Sequence, residues 1–129
     1  KKAMLEAKEI RGVIEFIHKI NKQKNSIYVI SGSDQDELIN IYIERGIHDL
    51  FRRVMGSPTS KKDHAEELLE SKLLDYPVIY FGDSITDFEL AEEYNMDFIF
   101  VSSKSEWEDG LRVSEASNSE VIYDFSEIL

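Results

Sequence analysis

Three short segments carry side chains suited to handling a phosphoryl group: Ser31-Gly32-Ser33, Gly56-Ser57-Pro58-Thr59-Ser60-Lys61-Lys62-Asp63 and Gly82-Asp83-Ser84-Ile85-Thr86-Asp87. A hydroxyl with nearby backbone N–H groups can hold phosphoryl oxygens. A lysine can neutralise their charge, and carboxylates can hold a hard, oxygen-seeking cation such as Mg²⁺. Each segment also has a plainer explanation. Ser31 could simply end a strand, and Ser84 with Asp87 forms an S-x-x-D helix cap that needs no metal. Lys61 and Lys62 fall in the first turn of a helix, where cations oppose the macrodipole, so an anionic ligand supplies a compensating reason for them. Asp83 is the hardest to explain by turn preference alone, because it follows Gly82, which lets backbone approach a ligand.

These segments gain meaning from the elements that carry them. Apolar residues from Ala3 to Ile20 recur at three- and four-residue steps and predict an amphipathic helix. Ile27 to Ile30 is an apolar, β-branched run and predicts a strand buried on both faces. A helix is expected from about Asp34 to Gly46, then a short edge strand over Arg52 to Met55 and a third helix capped by Ser60 and Asp63. That helix should point Ala65, Leu68, Leu69 and Leu73 or Leu74 inward and stop at Asp75-Tyr76-Pro77. Val78 to Phe81 is a second long strand, followed by a helix with Phe88, Ala91 and Tyr94 on one side and Asn95 at its close. Phe98 to Val101 is a third strand, and a short helix near Trp107 and a last strand over Val121 to Tyr123 complete the pattern. Alternating strands and helices indicate a three-layer, Rossmann-like α/β domain with a parallel sheet and helices on both faces. In such sheets ligands bind beyond the carboxyl ends of the strands, where all three polar segments fall.

A strand ending at Ser31, then G-S-P-x-x-Lys61, then a strand followed by Gly82-Asp83-x-x-x-Asp87, in this order, resembles the haloacid dehalogenase superfamily. The resemblance covers Ile10 to Val101 and points to the phosphoglycolate phosphatase and phosphoglucomutase branch. It implies that Ser31 hydrogen-bonds the transferring phosphoryl group and that Lys61, rather than Lys62, shields its charge. Ser31, Gly32 and Lys61 are then the phosphate-binding residues and Ser31 and Lys61 the catalytic ones. Asp83 is implied as a direct Mg²⁺ ligand, and Asp87 as a further ligand or its supporting partner. The intact reaction implied is hydrolysis of a small phosphorylated metabolite through an aspartyl-phosphate.

The family's first motif, a strand ending in D-x-D that supplies the nucleophile and the general acid/base, has no counterpart among these residues. The one D-x-D, Asp34-Gln35-Asp36, follows its strand too late and coincides with a helix start, where aspartates favour the dipole. It reads as a cap. The family pattern would put the missing strand in the sheet centre, between the strands ending at Ser31 and Phe81, so the sheet is expected to lack it. The sequence is accordingly expected to be a single core domain over residues 1–129, without a cap domain, and the portion of a longer protein. A preceding segment or a second copy in a homodimer would complete the sheet. The alternative is a non-catalytic module of the same fold that binds Mg²⁺ or phosphate, or mediates interactions. Another doubly wound module, such as a receiver domain, would not require Ser31, Lys61 and Asp83 to share one crevice.

Composition bounds these readings. In 129 residues, 26 acidic against 15 basic side chains give a net charge of −11, which repels nucleic-acid backbones. The surplus is expected on solvated helix faces, including Glu66, Glu67, Glu70, Glu92 and Glu93. The absence of cysteine excludes a disulfide framework, a thiolate zinc site and a cysteine nucleophile. No apolar run is long enough to span a bilayer, so no membrane partner and a cytoplasmic location are expected. His18, His48 and His64 lack metal-ligand spacing and read as ordinary surface or edge histidines.

Overall fold

The computed structural model describes residues 2–5, 9–72 and 76–129. Six strands form one parallel sheet: β1 (Lys2–Leu5), β2 (Ser26–Asp34), β3 (Arg53–Ser57), β4 (Val78–Gly82), β5 (Asp97–Val101) and β6 (Glu120–Ile122), in the order β3-β2-β1-β4-β5-β6. The helices are α1 (Val13–Lys22), α2 (Gln35–Glu44), α3 (Lys61–Glu70), α4 (Ile85–Glu93) and α5 (Gly110–Ala116). The expected α/β, Rossmann-like architecture is therefore present.

Side chains alternate along each central strand, so the sheet separates two cores. Ala3 and Leu5, Ile27 and Val29, Phe81 and Val101 face α1 and α2 and pack on Phe16, Ile17 and Leu38. Met4, Tyr28, Ile30, Tyr80, Phe98 and Phe100 face the other way, against Leu68 of α3 and Leu90 and Ala91 of α4. Trp107 lies on this second side, 5.7 Å from the rings of both Phe88 and Phe100, so it covers a core edge. The helix expected near it begins just beyond, at Gly110.

Two expectations are corrected. The helix from Ala3 to Ile20 is instead strand β1 followed by a helix that starts at Val13, preceded by Gly12 in a left-handed conformation (φ 83). Ala3, Met4 and Leu5 favour helices intrinsically, but pairing on both edges outweighs a weak local preference. Ala7, which shared that periodic pattern, lies outside the described residues, as do Leu73, Leu74 and Asp75 of the third helix and its stop. The second correction follows from the first: the sheet does not lack its central strand. β1 occupies that place, with Lys2–Leu5 paired to Ser26–Val29 on one side and to Val78–Phe81 on the other. The ladder groups of β2 and β4 that face the centre are thereby satisfied within the chain, and the expected need for a strand from a partner copy disappears.

The local signals held. Asp34, Ser60 and Ser84 cap α2, α3 and α4 by accepting from the N–H groups of Glu37, Asp63 and Asp87. Asn95 closes α4 at φ 55, where the Met96 N–H returns to the Ala91 carbonyl. Because Met4 is fully buried at the centre of the sheet, Met4→Ala should cost about 2–5 kcal/mol in urea denaturation. A cost below about 0.5 kcal/mol, typical of surface positions, would place β1 outside the sheet.

Candidate active site

The site is built on the carboxyl ends of β2 and β4, the two strands that flank β1. Leu5, the last residue of β1, lies level with Val29 and Phe81, two residues short of Ser31 and Asp83. Glu6, Ala7 and Lys8, which follow in the sequence, lie outside the described residues, and none of them is an aspartate. Ser31, Asp83 and Asp87 are all buried, and they make up most of the buried polar residues among those described. Buried polar groups must find partners, so their gathering at one end of the sheet makes this the place to look for chemistry.

Asp87 is the hub. It is fully buried, and both of its oxygens accept hydrogen bonds. Oδ1 accepts from the Lys61 ammonium at 2.9 Å and from the Tyr80 hydroxyl at 2.5 Å. Oδ2 accepts from the N–H groups of Asp83 and Ser84 at 3.2 and 3.3 Å and from the Ser84 hydroxyl at 2.9 Å. The S-x-x-D cap is therefore real, since Ser84 and Asp87 form a reciprocal capping box. The same carboxylate also accepts from Lys61, so Asp87 joins the start of α4 to the start of α3. Gly82 permits this arrangement: a Cβ there would lie 2.5 Å from the Asp87 Cβ and 2.8 Å from its Cγ.

Lys61 and Lys62 diverge. The Lys61 side chain is 15% exposed and turns inward, whereas Lys62 pairs with Glu93 at 3.5 Å with both partners about half exposed. Lys61 is thus the lysine that reaches the buried Asp87 carboxylate. The Ser31 hydroxyl accepts from the Ser33 N–H at 3.0 Å, a tight turn that holds it at the strand end. Gly32 is exposed, and a Cβ there would meet nothing within 4 Å, so the turn stands open on its outer side. Asp83 is 6% exposed, and its backbone is held on both sides: its N–H donates to Asp87, and its carbonyl accepts from the Ser105 hydroxyl at 2.5 Å.

Tyr80 and Ser105 were not singled out from sequence. Tyr80 reads as one more apolar strand residue, and Ser105 sits in a loop whose position depends on tertiary contacts. His64, read as ordinary, is half-buried and bonded to the Gly56 carbonyl at 2.8 Å. Asp34, by contrast, is the cap it was expected to be.

The model of the family described as "Haloacid dehalogenase-like hydrolase" matches residues 1–101. The chain belongs to this hydrolase family. No curated protein matches it. Among solved structures, a predicted phosphoglycolate phosphatase from Haemophilus somnus 129PT superposes with a TM-score of 0.77 at 18% identity, covering 92% of this chain and 55% of that one. A haloacid dehalogenase superfamily hydrolase from Ehrlichia chaffeensis gives 0.72 at 15% identity, covering 95% and 60%. The isolated core domain of a candidate phosphoglycolate phosphatase from Streptococcus pneumoniae TIGR4 gives 0.66 at 16% identity, covering 93% and 96%. The chain thus spans little more than half the length of the larger relatives and almost the whole of a core domain, and these likenesses establish the fold.

Asp87→Ala removes the acceptor of five hydrogen bonds and the counter-charge of a largely buried ammonium, and should cost about 3–5 kcal/mol of stability. Lys62→Ala breaks only an exposed pair and should change stability by less than about 1 kcal/mol. Urea denaturation of the two variants side by side checks the contrast.

Proposed function

We propose that this chain is the core portion of a Mg²⁺-dependent phosphatase that hydrolyses phosphoric monoesters of small metabolites. The observation that carries this reading is the contact of Lys61 with Asp87 at 2.9 Å, which brings the start of α3 to the end of β4 beside Asp83. Ser31 lies on β2, on the other side of β1, where the buried stretch of that strand ends; the strand itself runs on to Asp34 rather than stopping at Ser31 as expected. In this reading a hydroxyl, an ammonium and a carboxylate at neighbouring strand ends together serve a phosphoryl group, which calls for that set.

In this reading Ser31 and the N–H groups of its turn, including that of Gly32, hold phosphoryl oxygens, and Lys61 neutralises their charge while Asp87 and Tyr80 fix its direction. Asp83 is the carboxylate that would hold Mg²⁺. The ion is satisfied by one or two carboxylates and completes its shell with water and phosphate oxygens, a demand that a buried carboxylate on a strand end fits. Both Asp87 oxygens serve protein donors, which favours the supporting role over direct ligation. When bound, the ion would withdraw charge from the phosphoryl oxygens and the leaving group. The central strand β1 is followed in the sequence by Glu6-Ala7-Lys8 and no aspartate, so this reading leaves the attacking group unassigned.

Among the described residues no helix is long and apolar enough to cross a membrane, and a net charge of −11 disfavours nucleic acid, so a dissolved metabolite in the cytoplasm is the proposed partner. The test is p-nitrophenyl phosphate hydrolysis with Mg²⁺ by the gene's full-length product. Asp83→Ala and Lys61→Ala should each lower kcat by at least about a hundredfold, the scale of losing an electrostatic stabiliser, while Asp34→Ala should leave it unchanged. Hydrolysis lost with Asp34→Ala would reassign the nucleophile to that residue, and an inactive full-length product would favour the binding module.

A further inference from the structure

β2 and β3 run in register through Ile30 and Met55, and pairing resumes at Asp34 and Ser57. Over that interval β2 uses four residues where β3 uses two, because its chain bulges outward at Ser31, Gly32 and Ser33. The bulge begins at Ser31, the last buried residue of β2. It also carries the β2 backbone away from β3, whose peptide groups there need other partners.

Gln35 supplies them. Its side-chain amide donates to the Val54 carbonyl at 2.8 Å and accepts from the Gly56 N–H. A primary amide carries the donor and acceptor of a peptide group, so this side chain stands in for the missing stretch of strand. On its other side Gly56 is held as well, since its carbonyl accepts from His64 Nε2–H at 2.8 Å. Both peptide groups of one glycine are therefore gripped by side chains, one from the first residue of α2 and one from α3. The fit is close: a Cβ on Gly56 would lie 2.5 Å from the Ser33 carbonyl oxygen and 3.0 Å from the Gln35 backbone.

Gln35 follows the Ser31 turn directly, and His64 lies one helical turn beyond Lys61. We infer that Gln35 and His64 are positioning residues, whose joint grip on Gly56 sets the spacing between Ser31 and Lys61 and so the fit of the crevice to phosphate. This rests on the phosphate reading of Ser31 and Lys61 given above. Oxygen-binding donors lose their effect when displaced by about an ångström, so a clamp that ties one turn to one helix governs affinity as well as stability.

The test titrates inorganic phosphate into the 129-residue chain while following the amide resonances of Gly32, Ser33 and Gly56, at a temperature where circular dichroism shows each variant folded. The unmodified chain should give saturable shifts at Gly32 and Ser33. Gln35→Ala should weaken binding about tenfold, because the β3 peptide groups at Val54 and Gly56 lose their side-chain partner. His64→Ala should weaken it several-fold, and His64→Gln, whose amide can still donate to the Gly56 carbonyl, should restore most of the loss. Phosphate affinity unchanged in Gln35→Ala overturns the clamp and leaves the phosphate reading standing. If Gln35→Ala does not fold, equal affinity in His64→Ala and the unmodified chain overturns it instead. No response from the unmodified chain overturns the phosphate reading and the clamp with it.

Discussion

A carboxylate cut off from water must be satisfied by protein donors or it will not remain charged, and Asp87 meets that demand with five of them. Much of the site's geometry follows from this single requirement. The Lys61 ammonium is drawn from its helix toward the end of β4. Tyr80 must point its hydroxyl at the same oxygen, which fixes the side of the sheet its ring occupies. The residue before Asp83 must be glycine so that the carboxylate can approach, and the Asp83 backbone is tied down as a consequence. A charge pair this deep adds little net stability compared with apolar packing, but it allows only one arrangement of its partners.

The same end of the sheet collects the exceptions to an otherwise apolar interior. Along β2 the buried residues run from Ile27 to Ile30 without a polar atom in the core except the Tyr28 ring's hydroxyl, and then Ser31 breaks the run while still buried. Along β4 the run ends at Gly82 and Asp83 follows. Packing ends and polar chemistry begins within one residue on both strands. The outer loops complete the arrangement, with Ser105 reaching back from beyond β5 to the Asp83 carbonyl.

What could be read from sequence was local. The caps at Asp34, Ser60 and Ser84 depend on side chains three residues apart, and the long strands declare themselves by uninterrupted apolar runs. The polar segments stood out because each follows such a run. β1 could not be read in this way: Lys-Ala-Met-Leu is a sound helical sequence, and it is a strand because Ser26–Val29 and Val78–Phe81 present open edges to it. Gln35, Tyr80 and Ser105 were hidden for the same reason. Their partners are distant in sequence, and nothing in a glutamine beside a cap announces that it will replace a piece of strand. His64 has no metal-ligand spacing, and its partner is a backbone carbonyl, which leaves no mark in the sequence.

The central place of β1 also bears on how the chain can fold. Its first edge pairs with β2, close behind it in the sequence, but its second edge waits for β4, which begins at Val78. As the chain emerges during synthesis, β1, β2 and β3 can assemble into half a sheet with β1 at its open edge. Parallel pairing over such a separation has a high contact order and is slow relative to helix and hairpin formation. Until β4 arrives, Met4 and its neighbours remain uncovered on that edge, which makes the interval before residue 78 the period of greatest exposure to misassembly.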